Sequence, residues 1–224
     1  MPPVGWFRLR PRTIKYTAMV LIDIHTHNSE SDPETAILNC PPYDTGRRFS
    51  AGIHPCEITS DWKERLHKIE ELLCSHNGVA VGECGIDKLK SMADIHLQKE
   101  VFLAHALLAE RVHLPLIIHC VKAYDEILAI RKECRPTQAW IIHGFRGKPQ
   151  LTEQLIKAGF YISLGERFNP ESARAIPSNR LLVESDESTL PILEIYSRVA
   201  AAKETGIEQL AAQTYSNAQA IGLF

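Results

Sequence analysis

Two histidines follow an apolar run near the start of the chain and are separated by a single residue. His25 and His27 stand in the stretch LIDIHTH, residues 21–27. In an extended strand, residues two positions apart face the same side, so both imidazoles would point in one direction. A metal ion would explain such a pair, and so would two hydrogen-bonded core histidines. The pair alone leaves both interpretations open.

The same placement recurs at five points along the chain, where a histidine or an acidic residue closes an apolar run. Each such residue taken alone is more often a satisfied polar group at a loop junction than a ligand. Several of them meeting in one semi-buried cup would be costly to desolvate, and divalent cations remove that cost by accepting imidazole and carboxylate lone pairs. The candidate metal ligands are His25, His27, Glu83, His119, His143 and Asp186.

Six candidate ligands exceed the four of a tetrahedral ion and suit two ions that share a bridging carboxylate, for which Glu83 is our choice. A mixed imidazole and carboxylate set accepts Mg²⁺, Mn²⁺ or Zn²⁺. Two ions suit attack of activated water on a phosphodiester, because attacking and leaving oxygens are both stabilised. The histidines within predicted helices, His105 among them, are expected to be surface or packing residues.

The elements that must position these residues alternate along the chain. Apolar, β-branched runs predict eight strands, at residues 20–25, 36–40, 49–53, 79–83, 114–119, 139–143, 160–164 and 181–184. Amphipathic periodicity predicts helices at 62–76, 94–113, 123–133, 149–158 and 207–223. This alternation predicts an α/β fold, a (β/α)8 TIM barrel whose active site lies at the carboxyl ends of its strands. The barrel should be contracted and irregular between residues 28 and 49, where prolines replace a helix.

Composition limits the remaining possibilities. The 224 residues are 45% hydrophobic, and the formal net charge of −2 provides no global basic footprint for nucleic acid. Six cysteines without C-x-x-C spacing indicate reduced thiols and a cytoplasmic location. We expect no membrane span and no obligate protein partner. Residues 1–18 are predicted to be a loose extension, and 19–224 a single hydrolase domain.

The motifs, taken in order, resemble those of the TatD family of metal-dependent deoxyribonucleases, within the amidohydrolase-type TIM barrels. The resemblance runs from about residue 20 to the end of the chain. It is carried by DIHTH (23–27), AGIHP (51–55), AVGECGID (80–87), LPLIIH (114–119), IIHGFRG (141–147), GFYISLG (159–165), LLVESD (181–186) and the closing YSNAQAIGLF.

The resemblance implies a role for each candidate ligand. His25 and His27 would hold the first ion, with Asp186 completing that site, and Glu83 would bridge to a second ion held by His119 and His143. Glu83 and Asp186 are the implied catalytic residues, and Asp186 would orient or deprotonate the attacking water.

The chain departs from the family pattern on the substrate side. Cys56 stands where a second histidine usually follows G-x-H-P, Val121 replaces an arginine, and no proline follows Asp186. Predicted substrate contacts are His54, Lys122 and Arg146, with Lys148 and Arg167 adding positive charge near the mouth.

The leading hypothesis is a two-metal phosphodiesterase that cleaves DNA, with single-stranded 3′ ends as one candidate substrate. Hydrolysis of a small phosphoester, amide or ester at the same site is the alternative. A third hypothesis is a non-catalytic metal-binding scaffold.

Overall fold

Eight parallel strands form one sheet in the computed structural model, which describes residues 19–39, 46–75 and 77–224. Each strand pairs with the next along the chain, so the strand order is the sequence order. The predicted extension, residues 1–18, lies outside the described residues. The strands are β1 (Asp23–Thr26), β2 (Ala36–Asn39), β3 (Phe49–Ala51), β4 (Gly78–Asp87), β5 (Leu116–Val121), β6 (Trp140–Ile142), β7 (Tyr161–Leu164) and β8 (Leu181–Val183).

Seven α-helices are present in the described part of the chain, and the five predicted helices are among them. The helices are α1 (Trp62–Ser75), α2 (Ile95–Val112), α3 (Tyr124–Cys134), α4 (Pro149–Lys157), α5 (Pro170–Ala175), α6 (Ile192–Ala202) and α7 (Ile207–Ala220). None of them is long and apolar enough to cross a lipid bilayer. The eight strands and the intervening helices confirm the predicted barrel.

The barrel is nearly closed between β1 and the segment after β8. The backbone N–H of Asp186 donates to the carbonyl of His25 at 2.9 Å, and the N–H of His27 donates to the carbonyl of Asp186 at 3.1 Å. These two bonds continue the parallel ladder beyond the end of β8. The first and last predicted ligands of the chain are therefore joined by backbone hydrogen bonds.

The predicted contraction falls between β1 and β3. No helix occurs in the described residues between them, 27–35 and 46–48. The guanidinium of Arg47 instead holds the β1–β2 loop, donating to the carbonyl of Ser31 at 2.8 Å and to its hydroxyl at 2.7 Å. The Arg47 side chain thus stabilises the β1–β2 connection, which has no helix of its own in its described residues, 27–35.

Alternation along the strands decides which side chains enter the barrel. Ile117, Ile141 and Leu182 share one buried cluster, while their strand neighbours pack in the cluster that includes the helices. Because the side-chain period is two, His119 lies on the same face as Ile117, and His143 on the same face as Ile141. The apolar alternation that forms the core therefore also aims these histidines inward.

Strand β4 runs four residues further than predicted, so Glu83 lies within the strand rather than at its end. The strand continues because Cys84 and Ile86 remain buried in the core. Gly85 permits the close pairing with β5, since a Cβ at this position would collide with the carbonyl oxygen of His119. The extension carries Asp87 into the mouth of the barrel.

The last two helices are anchored to the barrel by buried polar side chains. Asn217 on α7 donates to the carbonyls of Ser178 at 2.7 Å and Leu181 at 2.8 Å. The Tyr196 hydroxyl on α6 donates to the carbonyl of Ile22 at 3.0 Å. These bonds fix both ends of the sheet, β1 and β8, against the closing helices.

Candidate metal centre

The six predicted ligands meet at one end of the barrel, with Glu83 between them. His25 lies in β1 and His27 directly after it, while His119 lies in β5. His143 follows β6 by one residue, and Asp186 follows β8 by three. The carboxyl ends of these strands therefore converge on the Glu83 carboxylate, as expected for a barrel of this kind.

One oxygen of Glu83 faces the β5 and β6 side. Its Oε1 lies 2.7 Å from His119 Nδ1 and 2.7 Å from His143 Nε2. The same oxygen lies 3.6 Å from His54 Nε2. His119 Nδ1 and His143 Nε2 are 3.4 Å apart. Three imidazoles therefore surround a single carboxylate oxygen.

The other oxygen of Glu83 faces β1. Its Oε2 lies 3.5 Å from His25 Nε2 and 3.6 Å from His27 Nε2. Asp186 Oδ1 approaches the same two nitrogens, at 3.9 Å from His25 and 3.7 Å from His27. This second group is more open than the first and its members are too far apart for direct hydrogen bonds.

The donor atoms fit divalent cations. His25 is fully buried, and neither of its ring nitrogens has a hydrogen-bond partner among the described residues. An unsatisfied buried imidazole is costly, and an ion between His25, His27, Glu83 and Asp186 would provide a partner for His25 Nε2. Three overlapping groups of residues each bring their ligand atoms within 4.8 Å of one another. The groups are His25, His27 and Glu83; His25, His143 and Asp186; and His54, Glu83 and His119.

The electrostatics of the centre favour positive charge. Burial by itself raises the pKa of Glu83, but the charge of His143 and the hydrogen bonds from His119 and His143 outweigh it and hold the pKa far below its usual range. Burial likewise lowers the pKa of His143, while the charges of Glu83 and Glu184 raise it well above the ordinary value. The Glu83 carboxylate thus stays ionised, and a metal cation could replace the positive charge that protonated imidazoles otherwise supply beside it.

The environment of Asp186 differs from that of Glu83. The pKa of Asp186 is raised, first by burial and then by the negative charge of Glu184. The pKa of His27 is raised chiefly by the Glu83 carboxylate, whose Oε2 lies 3.6 Å from His27 Nε2. One carboxylate at the centre is therefore firmly ionised, and the other takes up a proton more readily than an ordinary aspartate.

Two further acidic residues orient candidate ligands, a third bonds to the residue before Asp186, and the ligand pattern in the sequence does not reveal them. Asp87 Oδ2 lies 3.1 Å from His119 Nε2, and Glu184 Oε1 lies 3.2 Å from His143 Nδ1. In both histidines the nitrogen opposite Glu83 therefore faces a carboxylate, which fixes the ring and its tautomer. Asp23 instead accepts hydrogen bonds from Ser185, at 2.9 Å from its N–H and 2.5 Å from its hydroxyl.

Asn39, the last residue of β2, is another site residue absent from the predicted set. Its Oδ1 accepts hydrogen bonds from the backbone N–H of Glu83 at 3.1 Å and from the Ser50 hydroxyl at 3.3 Å. Because the Glu83 N–H can only donate, these bonds fix the amide orientation and turn Nδ2 toward His27 Nε2, 3.4 Å away. One side chain of the contracted segment thereby links β1, β3 and β4 at the centre.

His54 lies closer to the centre than a substrate contact would require. Its Nδ1 accepts a hydrogen bond from the N–H of Cys56 at 3.2 Å, which leaves Nε2 facing Glu83. Burial lowers the pKa of His54 and so favours the neutral ring. Cys56, in the position where the resemblance leads one to expect a second histidine, is exposed and free.

The other predicted substrate contacts lie along a cleft of about 1100 Å³ that opens onto the centre. Lys122 and Arg146 line this cleft together with His27, His119 and Asp186. Arg167 and Arg146 line a smaller adjoining cavity of about 160 Å³ beside Asp186. Lys148 lies at the start of α4. The cleft is therefore basic on the side formed by the loops after β5 and β6.

Known proteins with similar sequences support the family resemblance that the motifs indicated. Residues 8–221 match the family model described as "TatD related DNase". The "Uncharacterized metal-dependent hydrolase YabD" of Bacillus subtilis is 30% identical over 189 residues, 75% of this chain and 74% of that protein. The "3'-5' ssDNA/RNA exonuclease TatD" of Erwinia amylovora is 30% identical over 199 residues, covering 77% and 76% respectively.

Solved structures share the fold. The TatD homologue YJJV from Escherichia coli superposes with a TM-score of 0.72 at 18% identity, over 84% of this chain and 86% of that one. A TatD family hydrolase from Entamoeba histolytica gives 0.74 at 16% identity, over 92% and 98%. The family match, the relatives and the imidazoles and carboxylates gathered at the mouth of the barrel together identify a metal-dependent hydrolase. The chain belongs to the TatD family, as its motifs predicted.

Proposed function

We propose that this protein is a two-ion phosphodiesterase that hydrolyses DNA, with unpaired strands as the preferred form. The observation that carries the proposal is the position of Glu83, whose two oxygens face different groups of imidazoles and so suit a bridge between two ions. Support for the substrate comes from the relatives named as single-stranded DNA and RNA exonucleases.

In this proposal the six ligands divide as the family resemblance implies. His25, His27 and Asp186 would hold one ion, His119 and His143 would hold the other, and Glu83 would belong to both. The cofactors are two divalent ions, Mg²⁺, Mn²⁺ or Zn²⁺. Bound ions would supply Lewis-acid charge to the phosphodiester and lower the pKa of the attacking water.

The chain's own residues position the reactants. Asp186 lies at the mouth beside the cleft, where its carboxylate can orient the attacking water and take its proton. Lys122 and Arg146 bind the phosphate groups of the strand from the basic side of the cleft. His54, with Nε2 directed at Glu83, contacts the scissile phosphate or supplements the second ion's ligands. We place the activity in the cytoplasm, in keeping with free cysteines at positions 56, 74, 84, 120 and 134.

A second candidate function keeps the ions and changes the bond, so that a small phosphoester, amide or ester is cleaved. The exposed Cys56 favours it, because a histidine that the family pattern supplies on the substrate side is absent. Acidic residues Glu57 and Glu187 also line the cleft and would repel part of a polynucleotide. A non-catalytic metal-binding scaffold is the least supported function, since the complete set of ligands is present.

The test is hydrolysis of an end-labelled single-stranded oligonucleotide by metal-free protein to which Mg²⁺, Mn²⁺ and Zn²⁺ are added back separately. We expect shortening that requires an added ion and falls more than about a hundredfold in Glu83→Ala and His143→Ala. His67→Ala, an exposed histidine on α1, serves as the matched control and should keep full activity. Cleavage of a small phosphodiester without any cleavage of the oligonucleotide would favour the second candidate function, and no cleavage of either would favour the scaffold.

A further inference from the structure

The loop between β4 and α2, residues 88–94, exposes two large apolar side chains, and one end of the loop lines the cleft. Leu89 is 68% exposed and Met92 is 96% exposed, more than any other large apolar side chain in the described ranges. Leu89 also lines the cleft that opens onto the metal centre. Single exposed apolar residues are common, but two on one short loop at the mouth of an active site suggest a ligand.

This loop is held in place by hydrogen bonds at several points. Asp87 Oδ1 accepts from the backbone N–H of Leu89 at 2.8 Å and of Lys90 at 2.8 Å. The Ser91 hydroxyl donates to the carbonyl of Pro55 at 2.7 Å. The buried Gln98 donates to the carbonyl of Ala93 at 2.8 Å and accepts from the N–H of Asp87 at 2.9 Å. A loop fixed at both ends presents its apolar side chains in a defined position.

The same aspartate connects the loop to the centre. While Asp87 Oδ1 holds the backbone of Leu89 and Lys90, its Oδ2 faces His119 Nε2 at 3.1 Å. One carboxylate thus contacts both the loop and His119, a candidate ligand of the second ion. Asp87 therefore sets the position of the Leu89 backbone relative to the candidate metal centre.

Charge along this wall of the cleft identifies the class of ligand. Lys90 lines the cleft next to Leu89, and Lys122 and Arg146 continue the basic wall across β5 and β6. Apolar side chains interleaved with cations match an unpaired nucleotide strand, whose bases offer apolar faces and whose backbone carries regular negative charge. Bases paired in a duplex would not offer these faces.

We propose that residues 88–94 form a base-binding platform. Leu89 and Met92 pack against the face of a nucleobase next to the scissile bond, and Lys90 binds the adjoining phosphate. This inference rests on the proposed function and adds to it a reason for preferring unpaired strands. A second copy of the chain is a poorer occupant, because two side chains fall far short of the roughly 800 Å² per partner that a stable interface buries.

The test compares two labelled, phosphorothioate-linked oligonucleotides of equal length and charge, one with bases and one abasic, by fluorescence anisotropy with metal-loaded protein. The wild-type protein should bind the base-containing strand about tenfold more tightly. In the Leu89→Ser/Met92→Ser double variant this ratio should fall toward one. The matched control is Leu193→Ser, an apolar residue on α6 that is 47% exposed and should leave the ratio unchanged.

Equal binding of the two strands by the wild-type protein, or an unchanged ratio in the double variant, would overturn the platform alone and leave the nuclease proposal standing. If neither strand binds, the nuclease proposal falls together with the platform. Sedimentation of the same proteins supplies the other check. A drop in molecular mass in the double variant, without a change in the ratio, would mean that the two side chains serve contacts between copies instead.

Discussion

At the scale of single residues, the centre depends on side chains that have two contacts each. Glu83 faces one group of imidazoles with each oxygen, and Asp87 joins His119 to the loop that follows β4. A residue with two roles can be tested by a substitution that keeps one contact and reverses the other. Asp87 allows such a test because asparagine has the same shape.

Asp87→Asn should weaken metal binding by about ten- to a hundredfold. The asparagine Oδ1 still accepts from the N–H groups of Leu89 and Lys90, but its Nδ2 donates to His119 Nε2. The histidine proton must then move to Nδ1, the nitrogen that lies 2.7 Å from Glu83 Oε1 and is needed as a ligand. Competition with a chelating dye measures the affinity.

The matched control for that substitution is Glu126→Gln, which breaks the 2.6 Å ion pair with Lys88 on the same loop without touching His119. It should leave the affinity for the ion unchanged. Equal affinities in wild-type and Asp87→Asn protein would show that Asp87 does not set the tautomer.

His105 predicts a pH dependence of stability that is separate from the metal centre. It is fully buried on α2, accepts from the N–H of Ile53 at 3.0 Å, and contacts the carbonyl of Val101 through Nδ1 at 2.8 Å. Burial, helped by the charge of Arg65, lowers its pKa from 6.5 to about 4. Since the unfolded chain binds the proton first, stability is lost as the pH falls from about 6.5 toward 4.

The expected loss is about 3 kcal/mol in the free energy of unfolding between pH 7 and pH 4, relative to His105→Gln measured under the same conditions. Urea denaturation of chelated protein at several pH values measures it. His67→Gln, at an exposed position on α1, should follow the wild-type curve. Parallel curves for wild type and His105→Gln would contradict the account.

At the scale of elements, the apolar runs predicted all eight strands because buried parallel strands are continuously hydrophobic. Two helices escaped prediction. α5 has only six residues, too few to display a period. α6 buries Ile195 and Val199 but also exposes Leu193, which blurs its apolar stripe. Strand ends were predicted less well, and the end of β4 was misplaced by four residues.

The candidate ligands could be selected from sequence because each ends an apolar run at the mouth of a barrel. The residues that orient them could not. Asn39 reaches Glu83 across 44 positions of sequence, and Glu184 reaches His143 across 41, so neither pairing is visible in any local pattern. Such contacts depend on which strands become neighbours and in what register.

The closing helix gives a test at this scale. Asn217→Ala should lower the free energy of unfolding by about 1–3 kcal/mol, because the carbonyls of Ser178 and Leu181 lose their donor in a buried setting. Gln213→Ala is the control, since it removes only the bond that Asn217 itself accepts at 2.8 Å, and should cost less than about 1 kcal/mol. Urea denaturation measures both losses. An equal loss of unfolding free energy in Asn217→Ala and Gln213→Ala would mean that α7 is not anchored through Asn217.

At the scale of the whole molecule, barrel closure turns distant sequence positions into one site. Ser185 bonds Asp23 across 162 positions, and the backbone bonds between His25 and Asp186 bring the two ends of the barrel together. The closed arrangement places buried imidazoles beside the ionised Glu83 carboxylate, a set of donor atoms that suits divalent cations. The fold therefore accounts for the position of the candidate ligands and for their fit to a metal ion.

Calorimetric titration of metal-free protein with Mn²⁺ or Zn²⁺ measures how many ions the chain binds and whether they share Glu83. We expect two ions per chain in the wild-type protein, with both affinities reduced at least about tenfold in Glu83→Gln because each ion loses the shared ligand. The exposed control His67→Ala should bind two ions with wild-type affinities. A single ion per chain, or two ions whose affinities do not change in Glu83→Gln, would contradict the account.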